Sequence, residues 1–348
     1  MSSSSPGRQF GLLIIVFVAS IALLGGGLAL FSRSTAGGSA LPRASTIAVA
    51  SPATSPSASS SAKPGGSGPS AGSSIGPGGS EQPIVVLTGA GDIGTCGLAG
   101  AQKTSDLLVK QEGSIFTVGD NAYENGSAED YAACYAPTWG RVFERTILPV
   151  AGNHDWNTDG AAGYRAYFGA AAAGPGGATW YSKDLGAWHV VVLDSNCAKV
   201  GGCDATSAQG KWLAADLAAS DARCTLALWH HPRFSSGEHG NDPLVGPFWD
   251  LLHAAGADLI VNGHDHDYER FAQQDPAGGE LRPGGIREIV VGTGGVGLRS
   301  FKATVANSEF RLAGSFGVLR LTLHPVNYDW EFLPVAGSIT DFGSTPCH

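Results

Sequence analysis

Leu259-Ile260-Val261-Asn262-Gly263-His264-Asp265-His266 joins a short apolar run to a glycine and two alternating histidines. A run of this length closed by a turn residue reads as a buried strand, with both imidazoles just past its C-terminal end. The same construction recurs upstream. Ile84–Thr88 runs into Gly91-Asp92-Ile93-Gly94, and Ser114–Val118 into Gly119-Asp120-Asn121-Ala122-Tyr123. Ile147–Ala151 runs into Gly152-Asn153-His154-Asp155, and Thr225–Trp229 into His230-His231-Pro232. Five strands therefore each set a carboxylate, amide or imidazole beyond the same end, the edge of an open α/β sheet where ligands bind. Trp188–Asp194 reads as a further strand. Helical patterns at Ala101–Gln111, Ser207–Ala219 and Pro247–Ala255 lie between the strands, and this alternation predicts an α/β fold. After Gly285, Ile286–Val291, Gly317–Leu323 and Asn327–Leu333 read as consecutive strands with no long helix between them.

One aspartate after a strand is ordinarily a turn or cap residue, and one histidine is ordinarily structural. Five such positions on one edge point instead to a shared centre. Asp92, Asp120, Asn153, His230, His264 and His266 offer mixed oxygen and nitrogen donors, a set that suits Zn, Fe or Mn. They exceed what one tetrahedral ion needs and fit two ions sharing a bridging carboxylate. Two ions roughly 3.5–4 Å apart can activate a water and stabilise an in-line displacement at phosphorus.

The motifs GD, GDNAY, GNHD, HHP and GHDHDYER, in this order, resemble those of the calcineurin-like metallophosphoesterase family, and within it most the purple acid phosphatase branch. The resemblance covers about residues 84 to 348. It implies a metallophosphoesterase four-layer α/β/β/α sandwich with mixed sheets. Many relatives carry a metal-binding histidine where this chain has Gly94, and purple acid phosphatases substitute a tyrosine at the position of Tyr123. By the resemblance, Asp92, Asp120, Tyr123 and His266 hold the first metal. Asp120, Asn153, His230 and His264 hold the second, with Asp120 bridging. His154 then resembles a phosphate-contacting residue, and His239 a proton donor or phosphate contact; histidine meets the pKa that acid catalysis needs. A phenol ionises near 10 in water, so a Tyr123 ligand points to Fe(III) in one site, with Zn, Mn or Fe(II) in the other. His231 reads as a residue supporting the ligands, and Tyr268-Glu269-Arg270 as structural support.

Residues 10 to 31 contain no charge, long enough for a membrane-spanning helix. Their length favours an uncleaved anchor over a cleaved signal peptide. Residues 1–31 are thus expected to be an anchor or signal segment. Residues 32–82 form a Ser/Gly/Pro/Ala-rich linker too poor in apolar surface to fold. Residues 83–348 form the phosphoesterase domain. Six cysteines without a CxxC pair, behind an export-type segment, indicate disulfides and an oxidising compartment. Cys197–Cys203 is the pair expected from the Gly201-Gly202 step between them. The domain is therefore placed outside the cytoplasm, membrane-tethered or secreted. Beyond Pro83 the chain has 17 basic and 29 acidic residues. A net charge of −12 disfavours nucleic acid as a partner, whereas bound metal ions would reverse the field locally for a small phosphorylated substrate.

Several other patterns carry no function. Gly72–Gly76 matches a serine-hydrolase elbow but lies in the linker. Gly292–Gly297 matches GxGxxG without a following helix, and reads as a tight loop. Cys96 is expected in a disulfide rather than on a metal, and His189, His253 and His324 are expected to be structural. The function expected is hydrolysis of phosphate monoesters. A phosphodiesterase or nucleotidase on the same metals, or a non-catalytic surface-binding domain that kept the fold, are the alternatives.

Overall fold

A computed structural model describes residues 82–338 and 341–348. The anchor or signal segment, the elbow match and nearly all of the linker lie outside these residues. Thirteen strands run in chain order: β1 Val85–Ala90, β2 Ser114–Thr117, β3 Thr146–Leu148, β4 Tyr181–Leu185, β5 Trp188–Val192, β6 Cys224–Leu228, β7 Leu259–Asn262, β8 Tyr268–Gln274, β9 Ile286–Val291, β10 Ser308–Leu312, β11 Gly317–Leu323, β12 Asn327–Pro334 and β13 Phe342–Pro346. They form two mixed sheets, ordered β13-β12-β11-β1-β2-β3 and β10-β8-β9-β7-β6-β5-β4. The five strands that carry the polar residues are therefore not on one sheet edge, as the sequence suggested. β1, β2 and β3 belong to the first sheet, and β6 and β7 to the second.

The unbroken apolar runs are explained by burial on both faces. In β5, Val190 and Val192 enter the core shared by the two sheets, with Leu226 and Leu228 of β6 and Leu319 and Leu321 of β11. The alternate residues Val191, Ala227 and Ile260 face the other way. They pack with Leu213 of helix Ala208–Ala219 and with Phe248, Trp249 and Leu252 of helix Gly246–Ala254. β3 is shorter than the run Ile147–Ala151 because Pro149 has no N–H to continue the ladder.

The six cysteines pair as Cys96–Cys134, Cys197–Cys203 and Cys224–Cys347. The second is the bond expected from the Gly-Gly step. The third joins the start of β6 to the end of β13, and so links the two sheets. Among the described residues no helix is long and apolar enough to cross a membrane.

Candidate metal centre

The C-terminal ends of the two sheets meet, and the Gly91 N–H after β1 donates to the Val291 carbonyl of β9 at 2.9 Å. Three turns that carry candidate ligands are tight. Asp92, Asp120 and His264 have φ of 60°, 50° and 71°, three of the five non-glycine residues with positive φ among those described. Backbone held in this region costs energy and marks sites whose geometry the surroundings impose. The glycines in the motifs make that crowding possible. A Cβ on Gly152 would lie 2.2 Å from Asp120 Oδ1, and one on Gly263 2.7 Å from Asp92 Oδ2.

All seven expected donors converge. The Tyr123 hydroxyl lies 2.9 Å from both Asp92 Oδ1 and Asp120 Oδ2. His266 Nε2 lies 3.4 Å from Asp92 Oδ1. On the other side of Asp120, the same Oδ2 is 3.4 Å from His230 Nε2. That nitrogen is 3.1 Å from Asn153 Oδ1 and 3.2 Å from His264 Nδ1. Asp120 Oδ2 thus stands between two groups of donors, the position of a bridging ligand. Gly94 leaves no room for a side chain of its own, since a Cβ there would meet the Asn121 carbonyl at 2.7 Å.

The protons available do not satisfy this cluster. Tyr123 has one hydroxyl proton for two carboxylates. His230 Nδ1–H donates to the Val118 carbonyl at 2.7 Å, and His266 Nδ1–H to the Gly297 carbonyl at 2.8 Å. These bonds aim each Nε2 into the site, as outer partners of metal-binding imidazoles do. A proton on His230 Nε2 satisfies only one of the acceptors around it. Two carboxylates, Asp92 and Asp120, are buried here, and buried charge needs compensation. Burial opposes charge on His230, but the Asp120 carboxylate outweighs it and raises the imidazole to about 9. Burial would likewise raise Asp120, yet His230 and His154 hold it well below the usual carboxylate range. Burial and the neighbouring imidazoles His230, His231 and His239 push His264 far down, leaving it a neutral donor. The residues fit a cation on either side of Asp120 Oδ2.

The two rim histidines are also placed. His154 donates its backbone N–H to Asp120 Oδ1 at 2.8 Å, and its ring Nδ1–H to the Glu124 carbonyl at 2.7 Å. Its Nε2 is 3.9 Å from Asp120 Oδ2. His239 stacks on His264 with ring centres 4.1 Å apart. Its Nδ1–H donates to Asp265 at 2.9 Å, and its Nε2 accepts from Arg299 at 3.0 Å. Arg299 must therefore give way before His239 Nε2 can carry a proton to a substrate. His231 packs against His264 and pairs through Nδ1 with Ser195 Oγ at 2.8 Å.

Three contributors escaped the sequence reading. Asp155 accepts from Gly152 N–H at 2.9 Å, from the Asn121 amide and from the Tyr131 hydroxyl, and so fixes the turn that carries Asn153. Burial, with Asp120 nearby, raises it to about 6. It stood in plain view in Gly-Asn-His-Asp. Ser195 and Arg299 had no local signal. Tyr268 and Arg270, expected as structural support, bind Asp341 at 2.7 and 2.9 Å. The GxGxxG stretch forms a loop, in which Val296 N–H binds the Asp92 carbonyl at 2.9 Å.

Two facing mixed sheets with an oxygen and nitrogen donor cluster at their joined C-terminal ends define the metallophosphoesterase class. The chain belongs to the calcineurin-like phosphoesterase family, whose model matches residues 87–268. Its relatives include purple acid phosphatase 15 of Arabidopsis thaliana, 29% identical over 55% of this chain and 41% of that protein. Purple acid phosphatase 21 of the same plant is 28% identical over 67% of this chain and 56% of that protein. The chain thus spans about half the length of these relatives or less. A purple acid phosphatase from yellow lupin seeds shares the fold, with a TM-score of 0.61 at 18% identity over 76% of this chain and 54% of that one.

Proposed function

We propose that this chain is an exported phosphoesterase that hydrolyses phosphate monoesters at a centre of two metal ions. The observation that carries the reading is Asp120 Oδ2, set between Tyr123 on one side and His230 on the other with too few protons to satisfy either group. In this reading Asp92, Asp120, Tyr123 and His266 hold one ion, and Asp120, Asn153, His230 and His264 the other. Burial, with Asp120 and Asp92 beside it, pushes the Tyr123 hydroxyl well above its ordinary value. A phenolate there calls for a strongly acidic ion, which favours Fe(III) with Zn, Mn or Fe(II) as its partner. Such ions supply Lewis acidity and a water acidic enough to attack phosphorus. As the water oxygen bonds to phosphorus, the ester P–O bond breaks and the departing oxygen takes a proton. His154 orients a phosphoryl oxygen from the rim, and His239 delivers the proton once its Nε2 is freed. The disulfides support an oxidising compartment. The reading places residues 83–348 there, behind segment 1–31 and linker 32–82.

The test is metal analysis together with hydrolysis of an aryl phosphate monoester and diester, for the wild type and Asp120→Asn. Two ions per chain and faster monoester turnover are expected, with loss of metal and of activity in the variant. Normal turnover with both ions in the variant would remove Asp120 from its role. A diester preference would assign the site to phosphodiesters. A chain that binds metal without turning over either ester is a binding domain.

A further inference from the structure

The domain is strongly acidic, yet one wall of the site is cationic. The loop after β9 is tied directly to the donor cluster. Gly297 accepts from the ligand candidate His266, and Arg299 N–H donates to the His266 carbonyl at 3.0 Å. The loop is fastened again at Lys302, whose N–H donates to the Ser236 carbonyl at 3.0 Å. Between these anchors it presents two cations. Arg299 reaches His239 Nε2 at 3.0 Å and Glu238 at 3.4 Å, and Lys302 reaches Glu238 at 3.3 Å. Both side chains remain open to solvent, at 35% for Arg299 and 60% for Lys302. One carboxylate is thus shared by two cations, and the remaining guanidinium contact is to a single imidazole nitrogen. The other rim histidine, His154, has an acid beside it instead, with Glu124 at 3.8 Å.

We propose that Arg299 and Lys302 are the specificity-determining residues of this site, and that they take a second phosphate group carried on the leaving-group side of a phosphate monoester. The proposal rests on the phosphoesterase reading above. His239, the candidate proton donor, marks the side from which the leaving group departs, and both cations stand on that side. A phosphate offers Arg299 a bidentate, charged partner that outcompetes a single imidazole nitrogen. Moving to it also vacates His239 Nε2. Glu238 competes with the substrate for both cations, so it sets how readily they are released. Nucleoside diphosphates and organic pyrophosphates meet this requirement with the second phosphate itself as the leaving group, the bond broken then being the anhydride P–O bond in place of an ester one.

Calorimetric titration of the metal-loaded protein with methylenebisphosphonate and with methylphosphonate tests this without turnover. Arg299→Gln combined with Lys302→Gln is expected to weaken the bisphosphonate by about tenfold or more. Methylphosphonate affinity and metal content should change little. Glu238→Gln should act in the opposite direction and tighten the bisphosphonate alone. Equal weakening of both ligands, or no weakening of either, overturns the proposal. If neither ligand binds the metal-loaded wild type, the phosphoesterase reading itself fails. Monoester turnover in a protein whose bisphosphonate affinity ignores all three substitutions leaves that reading intact and removes only the assignment to Arg299 and Lys302.

Discussion

In the proposed centre, Tyr123 is the residue on which the identity of one ion turns. Its ring is buried and its hydroxyl faces two carboxylates. With a proton in place the phenol can bond only one of them, whereas a phenolate would be able to hold a cation together with them. Tyr123→Phe should therefore lower the content of one ion selectively and abolish any visible phenolate-to-iron absorption, while the second ion stays. A colourless, fully active wild type containing only zinc would rule out iron and leave the rest of the site standing. Four of the candidate ligands, Asp92, Asp120, Asn153 and His264, were legible in the sequence because each directly follows a glycine that closes an apolar run. Gly152 and Gly263 are glycine because Asp120 and Asp92 occupy the space a side chain would need. Arg299 was illegible for the opposite reason. It reaches His239 from 60 residues away, and no local pattern encodes that approach.

Among the elements, the strands with an apolar run or a clean apolar alternation were readable, and those without one were not. β8 contains Glu269, Gln273 and Gln274, all buried, and the charge of Glu269 is met by internal bonding. Glu269 accepts from the Ser236 N–H and hydroxyl and from the Ser308 hydroxyl. β4 and β13, at opposite ends of different sheets, carry the mixed residues of edge strands. His189 on β5 shows how one such edge is fastened. It bridges Asp216 of helix Ala208–Ala219 at 2.9 Å and Asp184 of β4 at 2.8 Å. The bond to Asp216, reinforced by Asp184 against the cost of burial, raises the His189 pKa. A raised folded-state value means the folded protein binds this proton more tightly than the unfolded chain does. The resulting stability is full below the unfolded value of about 6.5 and disappears as pH rises through the folded one. His189→Asn should therefore destabilise the protein more at pH 5.5 than at pH 9 in denaturant titrations. A penalty independent of pH would show that His189 acts by packing alone.

Across the whole molecule, the two sheets are joined at the donor cluster and by Cys224–Cys347, which bridges a separation of 123 residues. Replacing both cysteines by serine should cost about 2–5 kcal/mol of unfolding free energy. An unchanged midpoint in denaturant would mean the core between the sheets holds them without the bond. The order of strands in the two sheets also fixes a sequence of events in time. The second sheet is built from one continuous stretch, β4 to β10, inserted between the two parts of the first. β1 pairs with β2 nearby and with β11 far along the chain. During synthesis β1 therefore waits with one side unpaired until the last strands emerge, and such distant pairings are slow to form. Asp92, Asp120 and Asn153 come from the early part of the chain and His230, His264 and His266 from the later insert. In the proposed centre each ion takes donors from both parts, so neither donor set is complete until the insert has docked, which would make full metal loading a late step in maturation and metal content a record of how many chains have completed it.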